Sequence, residues 1–166
     1  AAALALVVST AAGCSLRSIA LDKLADTFSA AGTGYASDDD PQLVRDAVPF
    51  ALKTMEQIAA ERPKHRALHL ALASGFTQYA YAFVAADADE LEDQDVTRAL
   101  KLRARARRRA GRARDYGLHG LELAHPGFAA AWRSGDPQGE AARASLLAKA
   151  SKDEVPLRYW TAAACT

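Results

Sequence analysis

The sequence predicts an all-α protein assembled from antiparallel helix pairs. Three observations carry this. Half of the 166 residues are hydrophobic, alanine is the commonest, and aromatics are only 7%. Alanine loses no side-chain entropy in a helix, whereas the β-branched residues that suit strands are sparse here. Apolar residues recur at helical spacing over most of the chain, and prolines punctuate the periodic stretches. The length suffices for one domain with a real core and not for two. A net charge of +1 sets up no global field toward nucleic acid or acidic substrates. Two cysteines exclude a disulfide scaffold or a cysteine-based zinc cluster.

Taken in order, Ile19, Leu21, Leu24, Ala25 and Phe28 give a short amphipathic helix between Arg17 and Ser29. Gly32, Gly34 and the triplet Asp38, Asp39, Asp40 mark a loop. Asp40-Pro41 opens the next helix, since aspartate accepts from free backbone N–H groups and proline fits the first helical position. Leu43, Val44, Ala47, Phe50, Ala51, Met55, Ile58 and Ala59 continue it, with Pro49 expected to kink or restart it. Pro63 ends it. The helix after it carries Leu68, Ala71, Leu72, Gly75, Phe76, Tyr79 and Phe83 on one stripe and Leu70, Tyr81 and Val84 on another, so it is expected at the centre of the fold.

The acidic run 87–95 reads as a loop or a polar helical turn. A long helix from Val96 to Ala124 ends at His125-Pro126-Gly127. After a short segment with Phe128 and Trp132, a turn at Ser134-Gly135-Asp136-Pro137 starts a helix through Ala141 to Ala150. Asp153-Glu154-Val155-Pro156 opens a last one. The pair flanking Pro63 resembles a tetratricopeptide (TPR) unit, although three copies at the usual period of about 34 residues do not align. The expected fold is a TPR-like helical array over 41–166, cut short at its C-terminal end.

The first residues are uncharged up to Arg17 and too few for a membrane-spanning helix. They read as part of a secretory signal, residues 1–13, whose basic segment lies upstream. Ser9-Thr10-Ala11-Ala12-Gly13-Cys14 resembles a bacterial lipobox, with Ala11 where leucine is common. That resemblance implies cleavage before Cys14 and a lipid anchor on its thiol and new amino terminus, leading into a lipidated helix and loop over 14–40. The other reading makes Cys14 a small buried residue of an apolar helix.

The remaining constellations each have two readings. Arg103, Arg105, Arg107, Arg108, Arg109, Arg112 and Arg114 form a basic run without an acid until Asp115. Nucleic acid is not expected as a partner, because the overall charge is balanced and an acidic run precedes the basic one. On a wheel of about 100° per residue, Arg103, Arg107 and Arg114 fall within a broad face of small residues. They either form surface salt bridges or line a groove for a ligand or partner. Phe76, Tyr79, Tyr81, Phe83, Tyr159 and Trp160 are either core or the wall of an apolar cavity. His65 and His69 have a two-ligand spacing, but Arg66 stands where an HExxH motif needs glutamate and no third ligand is indicated. No catalytic motif, metal or cofactor is expected.

Four stretches together resemble the T component (TatT) of tripartite ATP-independent periplasmic (TRAP) transporters: 37–53, beginning Ser37-Asp38-Asp39-Asp40-Pro41; 70–84, with Gly75-Phe76-Thr77-Gln78-Tyr79; Arg112-Ala113-Arg114-Asp115-Tyr116-Gly117-Leu118; and 153–164, with Leu157-Arg158-Tyr159-Trp160. The resemblance implies a non-enzymatic periplasmic lipoprotein that docks the solute-binding (P) subunit. It further implies handling of a hydrophobic small molecule, assembly as a homotrimer with a pore, and Tyr79, Tyr81 and Phe83 as cavity lining. Arg109-Ala110-Gly111 departs from the larger apolar residues expected there. A TPR-like lipoprotein scaffold for envelope assembly is the other functional reading.

Overall fold

The structure is a computed structural model. It describes residues 2–30, 37–149 and 151–165, with side chains described from residue 16 onward, so Cys14 lies outside the described side chains. The described residues form helices joined by short turns, with no strand among them. Helix α1 spans Ala2–Ala30, longer than the stretch in which apolar periodicity is visible. Helix α2 is Pro41–Glu61 and runs unbroken through Pro49. Asp40 caps it as expected, its Oδ1 accepting from the N–H groups of Gln42 and Leu43, each at 3.0 Å.

Helix α3, Arg66–Tyr79, continues into a π-helical turn, Ala80–Ala85, and then into α4, Ala86–Leu91. Helix α5 is Val96–Ala124, α6 Phe128–Ser134, α7 Pro137–Ala148 and α8 Val155–Ala163. The acidic run is therefore helical up to Leu91 and a turn beyond it.

Helix α3 is central, as its two apolar stripes require. It packs on α1 and α2 on one side and on α5 and α8 on the other. Leu68 and Leu72 are fully buried (0% exposed) and join Leu52, Met55, Ile58 and Phe76 in one core cluster. Burial of each such leucine contributes about 2 kcal/mol. Leu70, from the other stripe, packs against a second cluster of Leu118, Leu121, Phe128 and Leu157.

Phe50, one of the helically spaced apolar residues of α2, is 77% exposed. The buried line of α2 runs through Leu52, Met55 and Ala59, and a residue two before Leu52 lies on the opposite side of the wheel, at about 100° per residue.

Charged side chains fix the corners. Arg45 on α2 grips both carboxylate oxygens of Asp87 on α4 at 2.8 Å. The guanidinium of Arg62, in the turn after α2, reaches Asp22 of α1 at 2.5 Å. Gly127 immediately precedes α6, and its φ of +93° suits glycine. The free N–H groups at the start of α6 are held from outside the helix, because the Glu122 carboxylate accepts from Gly127 N at 2.7 Å and Ala129 N at 2.8 Å. These two bonds hold the Glu122 carboxyl below the usual carboxylate range. Glu122→Ala is expected to cost about 1 kcal/mol, read as a lowered urea midpoint. An unchanged midpoint would mean that the cap carries no weight.

Candidate functional site

Helical spacing decides where the aromatic residues go: at about 100° per residue, two residues turn Tyr81 to the side opposite Tyr79 and four bring Phe83 back beside it. The helix passes through its π-helical turn, Ala80–Ala85, over this stretch. Tyr79 and Phe83 stay together, ring centroids 5.5 Å apart, and face α1 and α2. With Phe28, Val44, Val48 and Met55 they wall an apolar cavity of about 240 Å³. The Arg45 guanidinium lies 5.1 Å from the Phe83 ring centroid, at the corner made by its pair with Asp87. Phe76 is buried, its ring parallel to Tyr116 at 6.2 Å and covered by the Arg112 guanidinium at 5.5 Å.

Tyr81 leaves on the opposite side and is 80% exposed. There it meets Tyr159 and Trp160 of α8 in a groove of about 620 Å³, together with Arg103 and Arg107 of α5. Tyr159 is 61% exposed and meets Trp160 edge-on, with centroids 5.0 Å apart. The floor is made of small residues, Ala80, Ala106 and Ala110, so the rings stand proud of the helix surface. Arg103 donates to Glu92 at 2.6 and 2.8 Å and to Asp89 at 2.9 Å. The acidic run thus pairs with the start of the basic one. These bonds hold the Arg103 guanidinium charged and keep Glu92 below the usual carboxylate range. Arg107 is exposed at the same rim.

Arg114 does not join this groove. It pairs with its neighbour Asp115 at 2.9 Å and lines a separate hollow beside His69, Tyr116 and His119. There both histidine rings place Nε2 on the Pro63 carbonyl, at 2.7 Å from His69 and 3.0 Å from His119. His65 Nδ1 instead accepts from Leu68 N at 3.2 Å and caps α3. Burial pushes the buried His69 toward its neutral form. The Tyr116 hydroxyl donates to Glu56 at 3.0 Å; burial, then that contact, pushes its pKa up to about 12.

Of the nine aromatic and arginine positions singled out from the sequence, five therefore surround one groove. Tyr79 and Phe83 wall a second cavity, Phe76 sits in the core, and Arg114 stands elsewhere. Sequence reasoning did not single out the valines and Phe28 of the apolar cavity. Nor did it single out Lys53, which faces Arg105, Arg108, Arg109 and Arg112 across a third groove. The spacing of those arginines at i, i+3, i+4 and i+7 was the available signal.

The helical frame thus holds an apolar cavity on one side of α3 and a groove edged by exposed tyrosines on the other. Residues 37–166 match the TRAP transporter T-component family (TAtT), and the chain belongs to that family, a transport accessory group and not a known enzyme family. An uncharacterized protein of Treponema pallidum (strain Nichols) is 31% identical over an alignment 163 residues long that covers 90% of this chain and 50% of that protein. The chain thus spans half the length of that curated relative. Among the described residues no helix is long and apolar enough to cross a membrane.

Proposed function

We propose that the chain acts as a periplasmic T component of a TRAP-type transport system, tethered to a membrane through lipid on Cys14. Its Tyr81–Tyr159–Trp160 groove docks the solute-binding subunit, and the cavity walled by Tyr79 and Phe83 receives an apolar group of the transported molecule. A homotrimer is the assembly the family resemblance implies. The observation that carries this reading is the convergence of Tyr81 and Tyr159, both mostly exposed, with Trp160 and Arg107 around one concave groove. Tyrosine, tryptophan and arginine dominate the energetics of protein interfaces, because they bury large area and still hydrogen-bond at the tip. Large exposed rings gathered at one place are therefore favourable in a docking surface and costly elsewhere.

The test is binding of the solute-binding subunit from the same transport system to the lipid-anchored full-length protein, measured by surface plasmon resonance. Tyr81→Ala with Tyr159→Ala is expected to weaken the complex at least tenfold, about 1.4 kcal/mol or more. Both side chains are exposed, so the fold is expected to persist in the variant, which circular dichroism checks. An affinity equal to wild type would remove the groove from the docking surface.

A further inference from the structure

On the far side of Tyr79 from the apolar cavity lies a groove of about 530 Å³ between α2 and α5. Arg105, Arg108, Arg109 and Arg112 of α5 line one wall, and Lys53 of α2 stands on the other. Its apolar surface comes from Pro49, Leu52, Phe76 and Tyr79.

The cations are unevenly balanced. The Glu56 carboxylate is nearly buried and already engaged. It holds Lys53 at 2.6 Å, Arg112 at 3.3 Å and the Tyr116 hydroxyl at 3.0 Å. No carboxylate among the described residues lies within ion-pair distance of Arg105, Arg108 or Arg109. Arg45 is paired with Asp87, Arg62 with Asp22 and Arg103 with Asp89 and Glu92, while Arg98, Arg107, Arg133, Arg143 and Arg158 have no described carboxylate within ion-pair distance either. Here three remain together in a hollow, and burial and the neighbouring guanidinium groups push Arg109 away from its charged form. Like charges held this close on one helix face repel unless an anion joins them. Arginine forks match the paired oxygens of a carboxylate or phosphate. The volume suits a small organic molecule, since ligand pockets run from roughly 300 to 1,000 Å³, and the wall of α2 stands opposite the cations.

We propose that this groove binds the oxyanion head of a small amphiphile, a carboxylate or phosphate group carried on a short apolar body. The head lies against Arg105, Arg108 and Arg109, and the body lies on the partly exposed Pro49 and Tyr79. The Arg112 guanidinium, held by Glu56 over Phe76, separates the groove from the next hollow along α5. The proposal uses neither Tyr81 nor Tyr159, so it stands or falls apart from the docking of the solute-binding subunit.

Isothermal titration calorimetry on the whole chain tests it, with octanoate and octyl phosphate as anionic probes, octyl glucoside as the neutral probe of equal chain length, and inorganic phosphate as the head alone. Octanoate or octyl phosphate is expected to bind at least tenfold more tightly than octyl glucoside and than inorganic phosphate. Arg105→Gln with Arg108→Gln is expected to weaken that binding at least tenfold; both side chains are exposed, and unchanged circular dichroism confirms the fold. Binding by one anionic probe only identifies the head group. No heat from either anionic probe, equal affinity for octyl glucoside, equal affinity for inorganic phosphate, or a double variant that binds like wild type would each overturn the proposal.

Discussion

Replacing Glu154 by alanine is expected to destabilise the fold by about 3 kcal/mol, the cost of removing one partner from a buried charged network. Glu154 is 6% exposed, in the 3₁₀ turn Lys152–Glu154 that leads into α8. Its two carboxylate oxygens reach two different elements. Oε2 meets His125 Nε2, at the end of α5, at 2.8 Å. Oε1 meets Arg66 Nη2, at the start of α3, at 3.2 Å. One side chain thus joins the ends of three helices, and α8 carries half of the proposed docking groove. Urea unfolding at neutral pH is the measurement, and a loss below about 0.5 kcal/mol, the range of ordinary surface changes, would show that the network is not structural.

The same network sets a pH dependence with a definite sign. The hydrogen bond from His125, then its charge and that of Arg66, hold the Glu154 carboxyl below its ordinary value of 4.5, against the opposing effect of burial. A carboxylate with a depressed folded-state pKa contributes stability that is present above the unfolded-state value and lost as pH falls through the folded-state value. Glu154→Gln is therefore expected to be less stable than wild type at neutral pH, and the gap is expected to narrow as pH drops below 4.5. A gap that widens with acid would reverse the assignment.

How much of the fold the residues disclose depends on how local each signal is. The start of α2 was legible because Asp40 and Pro41 act on N–H groups one turn away. The central place of α3 was legible because two apolar stripes on one helix demand neighbours on two sides. Leu43 and Phe50, helically spaced among the apolar residues of α2, are 58% and 77% exposed; they share a stripe offset from Leu52, Met55 and Ala59, and periodicity alone does not say which stripe meets the core. The π-helical turn left no mark, since its composition, Ala80 to Ala85, is that of an ordinary helix. Tyr81, Tyr159 and Arg103 were identifiable as residue types with chemistry to offer. Their convergence depends on how α8 lies against α5, which no short-range pattern encodes. The arginine groove was half visible, as a helical spacing of like charges, while Lys53 and the apolar surface come from α2 and α3.

That approach of α8 to α5 rests on glycine, and it gives a prediction with an internal control. Gly117 faces Thr161, which is 2% exposed and whose hydroxyl donates back to the Leu157 carbonyl at 2.6 Å. A Cβ added at Gly117 would lie 2.9 Å from Thr161 Cβ and 3.2 Å from its Cα, and closer still to its Oγ1. The Cα belongs to the backbone of α8, so the helix itself must move. One turn along α5, a Cβ at Gly120 would meet Leu157 at 3.0 Å. Gly111, on the same helix, has nothing within 4 Å of such a Cβ. Glycine to alanine in an open helix interior stabilises by about 1 kcal/mol, because alanine loses less backbone freedom on folding. Gly111→Ala is therefore expected to raise the urea midpoint. Gly117→Ala is expected to lower stability by about 2 kcal/mol, as overpacking does in tightly filled cores. Adding Thr161→Ala to Gly117→Ala removes the nearest clash and leaves the Cβ contact, so part of the loss is expected to return as a coupling between the two sites. Because Tyr159 and Trp160 ride on the displaced helix, Gly117→Ala is also expected to weaken the proposed docking of the solute-binding subunit, while Gly111→Ala leaves it unchanged. Equal midpoints for the two glycine variants would mean that α8 does not sit against α5 at van der Waals distance, and the groove built between them would lose its geometry.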